Sequence, residues 1–286
     1  LRVRVGLEIF ELARAVGARS IFVVGIGRDV GKTTVLRAVY AAAAETGVRI
    51  ALASMNPKQR LWLRPQTVFV TARGLLPRYP AAQILKLSGL QSPTGELVYA
   101  RTVSSGLYEL AGAPTASGVR EIVTTLAALS ELAVVDGAVD RVASLAGSDG
   151  AIVIACGAGA AKTMQEAVDE VAALAARLRV PAVDKAAASI DLDGALTAAQ
   201  AASFMAAREE RQIVVRDPTQ IALSGKAGSR ALSQLAVRCR RPLRVIAATV
   251  ASIGTERTFE PRAFATAVAD ATGLPTFDVY AGVRAA

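Results

Sequence analysis

The stretch Ile21-Phe22-Val23-Val24-Gly25-Ile26-Gly27-Arg28-Asp29-Val30-Gly31-Lys32-Thr33 decides how the rest of the chain is read. An apolar run of buried-strand character gives way to a glycine loop, and Thr34-Val35-Leu36 then carries a helical pattern forward. In that order the three pieces make an anion cradle. Glycines let successive backbone N–H groups turn inward, and a helix N-terminus adds unpaired donors and a partial positive charge. Lys32 has the reach to meet the outer phosphates of a nucleoside triphosphate, and the Thr33 hydroxyl suits Mg²⁺. The loop holds five residues between Gly25 and Gly31, against the usual four of a P-loop. The expected nucleotide contacts are Gly27, Arg28, Asp29, Val30, Gly31, Lys32, Thr33 and Thr34, with Asp29 either orienting loop amides or meeting a substrate.

Such a loop works with a carboxylate at the end of a neighbouring apolar strand. Leu132-Ala133-Val134-Val135-Asp136-Gly137 supplies the best candidate, Asp136, as the second metal-side residue beside Thr33. Asp136 as a plain turn aspartate is the alternative. Asp140 and Arg141 follow closely and either order the γ-phosphate region or pair with each other. Lys162 and Thr163, after Gly157-Ala158-Gly159, resemble a second anion loop without the spacing, and a plain helix start is the simpler reading.

Outward from these two motifs, apolar strands alternate with helical patterns. Helices are expected over 7–17, 31–46, 118–130, 160–179, 227–239 and 261–272. Strands are expected near 20–25, 48–54, 67–71, 97–103, 132–136, 151–155, 180–183, 213–215, 243–249 and 276–279. Alternation of this kind predicts an α/β fold of three layers, a mostly parallel sheet with helices on both faces, here a P-loop NTPase fold. The whole of 1–286 reads as a single domain with an elaborated 54–117 region.

Composition narrows the chemistry. There is no histidine, which removes the commonest general base and the commonest transition-metal ligand, and with them zinc enzymes and Ser-His hydrolases. Only two cysteines are present, Cys156 and Cys239, far apart. With no apolar stretch long enough for a bilayer and no signal-like start, they lead to the expectation of a cytoplasmic protein without membrane attachment. The net charge is +9, and the 46–95 segment contains no Asp or Glu while carrying Arg49, Lys58, Arg60, Arg64, Arg73, Arg78 and Lys86. That segment docks an acidic partner, a phosphorylated ligand or a nucleic acid, or is simply a solvated basic face. Charge alone speaks for nucleic acid, since aromatics are 5% of residues and no recognised module is present. Arg238, Arg240, Arg241 and Arg244 read as the exposed end of a helix.

The motif Gly25 to Thr33 resembles the loop of dethiobiotin synthetase and its relatives, which also place five residues between the glycines and an acid two before the second. Val135-Asp136-Gly137-Ala138 looks like the Glu-Gly-Ala-Gly segment those enzymes use for magnesium. A longer, looser pattern is similar to the small P-loop subunit of lysine 5,6-aminomutase reactivase. It runs through Gly106-Leu107-Tyr108-Glu109-Leu110-Ala111-Gly112-Ala113-Pro114-Thr115, Cys156-Gly157-Ala158, Phe259-Glu260-Pro261-Arg262-Ala263-Phe264 and Leu274-Pro275-Thr276-Phe277-Asp278-Val279. That resemblance implies an ATP-dependent assistant that renews an adenosylcobalamin-dependent aminomutase together with a MutS-like partner subunit. Three departures stand out. Ser54-Met55-Asn56-Pro57-Lys58-Gln59-Arg60 replaces the acidic residues that often follow the second strand, where fast hydrolysis would need them. Thr249-Val250-Ala251-Ser252 stands where an asparagine often reads adenine. The lysine that dimer-activated partitioning ATPases hold at the Gly27 position is absent, which speaks against that kind of activation and leaves a homodimer open.

Two other functions fit the same residues. A ligase or kinase of the dethiobiotin-synthetase type would phosphorylate a small carboxylate or carbamate, with Arg101, Tyr108 and Lys58 as anion-holding residues; ordinary surface or packing residues are the simpler reading of all three. A nucleotide-binding scaffold without turnover would need only the loop.

Overall fold

The computed structural model describes residues 2–55, 59–137, 145 and 149–285, which form two compact units. The first comprises Leu1–Val24 with Lys32–Ser144, and the second Gly25–Gly31 with Leu145–Ala286. Both are α/β with helices packed on the strands; parallel pairings predominate in the second, while the first joins parallel strands to antiparallel ones.

The first unit opens with α1 (Arg2–Ala15), which starts ahead of the expected helix. Arg2-Val3-Arg4-Val5 alternates as a strand would, yet Val5, Ile9 and Ala13 recur one turn apart and are buried. After β1 (Ser20–Gly25), α2 (Lys32–Glu45) lies along α1 and carries eight buried residues. β2 (Ile50–Ser54) leads into an elaborated region: β3 (Gln59–Leu63), β4 (Val68–Ala72), β5 (Ala82–Ser92), β6 (Gly95–Thr102) and β7 (Gly106–Leu110). α3 (Ala116–Leu129), capped by Thr115 accepting from the Gly118 N–H at 3.1 Å, and β8 (Leu132–Asp136) follow.

Strand order within this unit is β1-β8-β2-β4-β6-β5. The first three pairings are parallel, and β4–β6 and β5–β6 are antiparallel. β1, β2, β4 and β8 are buried at every position, the pattern of strands covered on both faces, and α2 and α3 both pack on β2 and β8. β3 and β7 form a separate antiparallel ribbon.

The ribbon and β5 have no counterpart in the expected elements. In β3, Leu61 and Leu63 face inward while Arg60 and Trp62 face out, so the apolar run Leu61-Trp62-Leu63 hides its period of two. β5 is half-exposed and interrupted by register shifts, which weakens any periodic signal.

The second unit runs β9 (Ala151–Gly157), α4 (Met164–Leu178), β10 (Ser189–Asp191), α5 (Ala198–Ala206), β11 (Gln212–Val215), α6 (Gly225–Gln234), β12 (Val237–Cys239), β13 (Arg244–Ala251), α7 (Pro261–Thr272), β14 (Thr276–Asp278) and β15 (Arg284–Ala285). β9, β13 and β14 pair in parallel, and β15 closes antiparallel on β14. A smaller parallel sheet, β10-β11-β12, encloses its own core of Leu196, Ile213, Val215, Ile221, Val237 and Cys239.

Two expectations are corrected here. The helix over 227–239 ends at Gln234, because Val237 and Cys239 alternate with Arg238 and pair with β11 as a buried strand. Arg238 therefore lies in that strand, Arg240 and Arg241 in the turn after it and Arg244 at the start of β13, not at a helix end. The stretch 180–183 contributes only the Ala182–Cys239 bridge. Both cysteines are buried and free. Among the described residues, no helix is long and apolar enough to cross a membrane.

Candidate functional site

In the second unit the glycine loop is held down from several sides. The Ile26 N–H donates to the Ala155 carbonyl at 3.2 Å, and Val30 is buried. A Cβ on Gly157 would lie 2.7 Å from the Val30 Cα, so the end of β9 must be glycine for the loop to rest there. Gly31 adopts φ +88, and a Cβ there would meet the Ala251 Cβ at 3.1 Å and the Val279 Cγ2 at 3.4 Å. The tip stays open: Arg28 and Asp29 are exposed, and Asp29 itself has φ 51, a left-handed conformation that aspartate tolerates better than most residues.

In the first unit, Lys32 begins α2 and is 7% exposed, while Thr33 and Thr34 are half-buried. No acidic residue stands in the first turn of this helix to offset its N-terminal partial charge. The Thr33 hydroxyl donates to Asp136 Oδ2 at 2.9 Å across 103 positions of sequence. Asp136 is fully buried at the end of β8, level with Val23 of β1 and Ser54 of β2. Its carbonyl accepts from the Met55 N–H at 2.9 Å, and the Gly137 N–H reaches the Val23 carbonyl at 2.9 Å. The carboxyl ends of three adjacent parallel strands thus meet around one carboxylate.

A residue absent from the expected set joins them. Gln59, the first residue of β3, donates from Nε2 to the Thr33 Oγ1 at 3.1 Å. Its only sequence signal is its place after the second strand, where acids were the expected type.

No family model, curated protein or solved structure matches this chain.

The chemistry of the donors therefore carries the argument. A threonine hydroxyl and an aspartate are hard oxygen ligands, and among the described residues no group of three or more His, Cys, Asp or Glu forms an all-protein cage. That set suits Mg²⁺, which keeps waters and is completed by phosphate oxygens, better than zinc or a tightly caged calcium.

Other expected residues fall elsewhere. Tyr108 is buried, and its hydroxyl donates to the Ala81 carbonyl at 2.7 Å and the Ser104 carbonyl at 2.8 Å; burial also raises its pKa. Thr163 is a helix cap with a full capping box to Glu166, so the Lys162-Thr163 loop is a helix start. Thr249 and Ser252 are buried, and their hydroxyls have no hydrogen-bond partner among the described residues. Lys58, Ala138, Asp140 and Arg141 lie outside the described residues.

The basic 46–95 segment divides in two. Arg49, Arg60 and Arg73 pair with Glu131, Glu109 and Glu96 at 2.9, 3.0 and 3.8 Å, all acids from beyond the segment. Arg64, Arg78 and Lys86 are exposed with no ion pair among the described residues.

Proposed function

We propose that this chain is a Mg-ATP-binding P-loop NTPase of the dethiobiotin-synthetase-like class that acts as a partner-coupled assistant, renewing an adenosylcobalamin-dependent aminomutase with a MutS-like subunit. The observation that carries the nucleotide reading is the 2.9 Å contact between Thr33 and Asp136, since two residues chosen as metal partners from separate motifs meet at one point. Lys32, at the first position of α2, supplies the ammonium for the outer phosphates, and the loop from Gly27 to Gly31 supplies backbone donors. Thr33 and Asp136 would hold Mg²⁺, which when bound neutralises charge on the phosphate oxygens. Arg28 and Asp29 are exposed at the tip of the loop.

Partner coupling draws its support from Arg64, Arg78 and Lys86, exposed and without an ion pair among the described residues, in a segment without acids. The ligase alternative keeps the same ATP site but loses Tyr108 as an anion holder, because that hydroxyl is committed to two carbonyls.

Thermal unfolding with Mg-ATP and Mg-GTP tests the site. Ligand at a hundred times its dissociation constant adds roughly 2.7 kcal/mol, and Lys32→Ala removes most of that gain. A variant that keeps the full shift refutes the site, and wild-type hydrolysis of several turnovers per second without a partner refutes the coupling.

A further inference from the structure

We infer that Gln59 reads the state of the Thr33 hydroxyl and passes it to the outer face of the β3–β7 ribbon. A hydroxyl offers one proton and two lone pairs. In this structure the proton goes to Asp136 Oδ2, one lone pair receives the Gln59 Nε2–H at 3.1 Å, and the Gln59 Oε1 lies 3.4 Å from the same hydroxyl. A divalent cation ligated by Thr33 takes a lone pair and sets positive charge beside the amide. Gln59 must then give up its Nε2 contact in favour of Oε1 or withdraw, and either change acts on the first residue of β3.

The ribbon is built to carry that change. Gln59, Leu61 and Leu63 share the inward side of β3, and Gln59 pairs with Leu110 at the end of the β3–β7 ladder. Arg60 and Trp62 take the outward side, where Trp62 (67% exposed) stands opposite Leu107 (50% exposed), and Arg60 is fixed to Glu109 across the ladder. The far end of β3 is tied to α2 a second time, through the Arg64 N–H to the Tyr40 hydroxyl at 2.7 Å. Displacement at Gln59 therefore bends β3 against a fixed far end, beneath the exposed Trp62 and Leu107 pair. Gln59 is a positioning residue here, and the inference rests on the phosphate-site reading above.

Trp62 is the single tryptophan of the chain, so its emission reports this strand alone. The experiment compares emission of the full chain in EDTA, with Mg-ADP and with Mg²⁺ plus a non-hydrolysable ATP analogue, alongside thermal unfolding of the same samples. The expected result is a change in Trp62 emission with the magnesium triphosphate. Gln59→Ala should cut that change at least fivefold in samples where the thermal shift shows the nucleotide bound at saturation. Gln59→Glu keeps the length and offers an oxygen to the cation, so it should restore the emission change. A Gln59→Ala protein with the full response, or a wild type stabilised by nucleotide with silent Trp62, overturns the inference and leaves the phosphate site standing. A wild type that gains no stability from any magnesium nucleotide removes the phosphate site, and the inference with it.

Discussion

Within the first unit, the parallel strands β1, β2 and β8 and the antiparallel ribbon β3–β7 solve different problems. The parallel strands are buried along their whole length and end together at Asp136. The ribbon buries one face and shows the other, with Trp62 and Leu107 outside and Leu61 and Leu63 inside. One region sets a carboxylate beside a helix start, and the other touches that helix through the Gln59 amide and again through the Arg64 N–H to the Tyr40 hydroxyl. The first region is covered on both faces, whereas the second turns one face to solvent.

The largest effect that could break this contrast is in the core. Phe22 is fully buried in β1, so Phe22→Ala should cost about 3–5 kcal/mol through lost burial and the cavity left behind. Trp62→Ala, a still larger truncation but on the open face of the ribbon, should stay within about 0.5 kcal/mol. Urea denaturation of both variants decides the matter, and equal losses would mean that the ribbon face is as structural as the core.

Next in size is the tie between the two regions. The Tyr40 hydroxyl accepts the Arg64 N–H at 2.7 Å and shares a 2.8 Å bond with Thr67 Oγ1. Tyr40→Phe takes this acceptor from the part-buried Arg64 N–H, while Thr67 Oγ1 keeps its bond to the Arg64 carbonyl, and should cost about 1 kcal/mol. Protection of the Arg64 amide from hydrogen exchange should fall with it. Unchanged protection would show that the ribbon is held some other way.

The smallest effect concerns the opposite ends of the parallel strands. Glu131, just before β8, has its carboxyl held below the ordinary 4.5, first by the Arg49 side chain and then by the Arg49 backbone N–H. A depressed carboxylate stabilises the fold above its unfolded pKa, and that contribution is lost as pH falls through the folded value. Arg49→Ala should therefore narrow its stability gap to wild type between pH about 7 and about 3, as followed by denaturant midpoints. The pair is exposed, so the change is expected to shrink further in high salt.

What was legible in the sequence follows from how locally each feature is encoded. The apolar run into Gly25, the helix after Gly31 and the branched strand before Asp136 are written in consecutive residues, and each appears within a few positions of its expected place. The ribbon was not legible, because Trp62 sits on the solvent side and turns an alternating strand into an apparently continuous apolar one. β12 was hidden for the opposite reason: three residues of alternation follow a helix whose pattern runs into them. The basic segment was correctly counted and only partly understood, since the acids that match Arg49, Arg60 and Arg73 come from other strands and loops.

By itself, then, the sequence determined the glycine loop, the lysine and threonine that open α2, and the aspartate that closes β8, because turn chemistry and strand burial are dictated by neighbours along the chain. Only the tertiary structure decided that Asp136 and Gln59 meet on one hydroxyl, from 103 and 26 positions away. Contacts at that separation are set by which strands pair and how they register. No short window of residues encodes a register; it is fixed when whole faces are buried together.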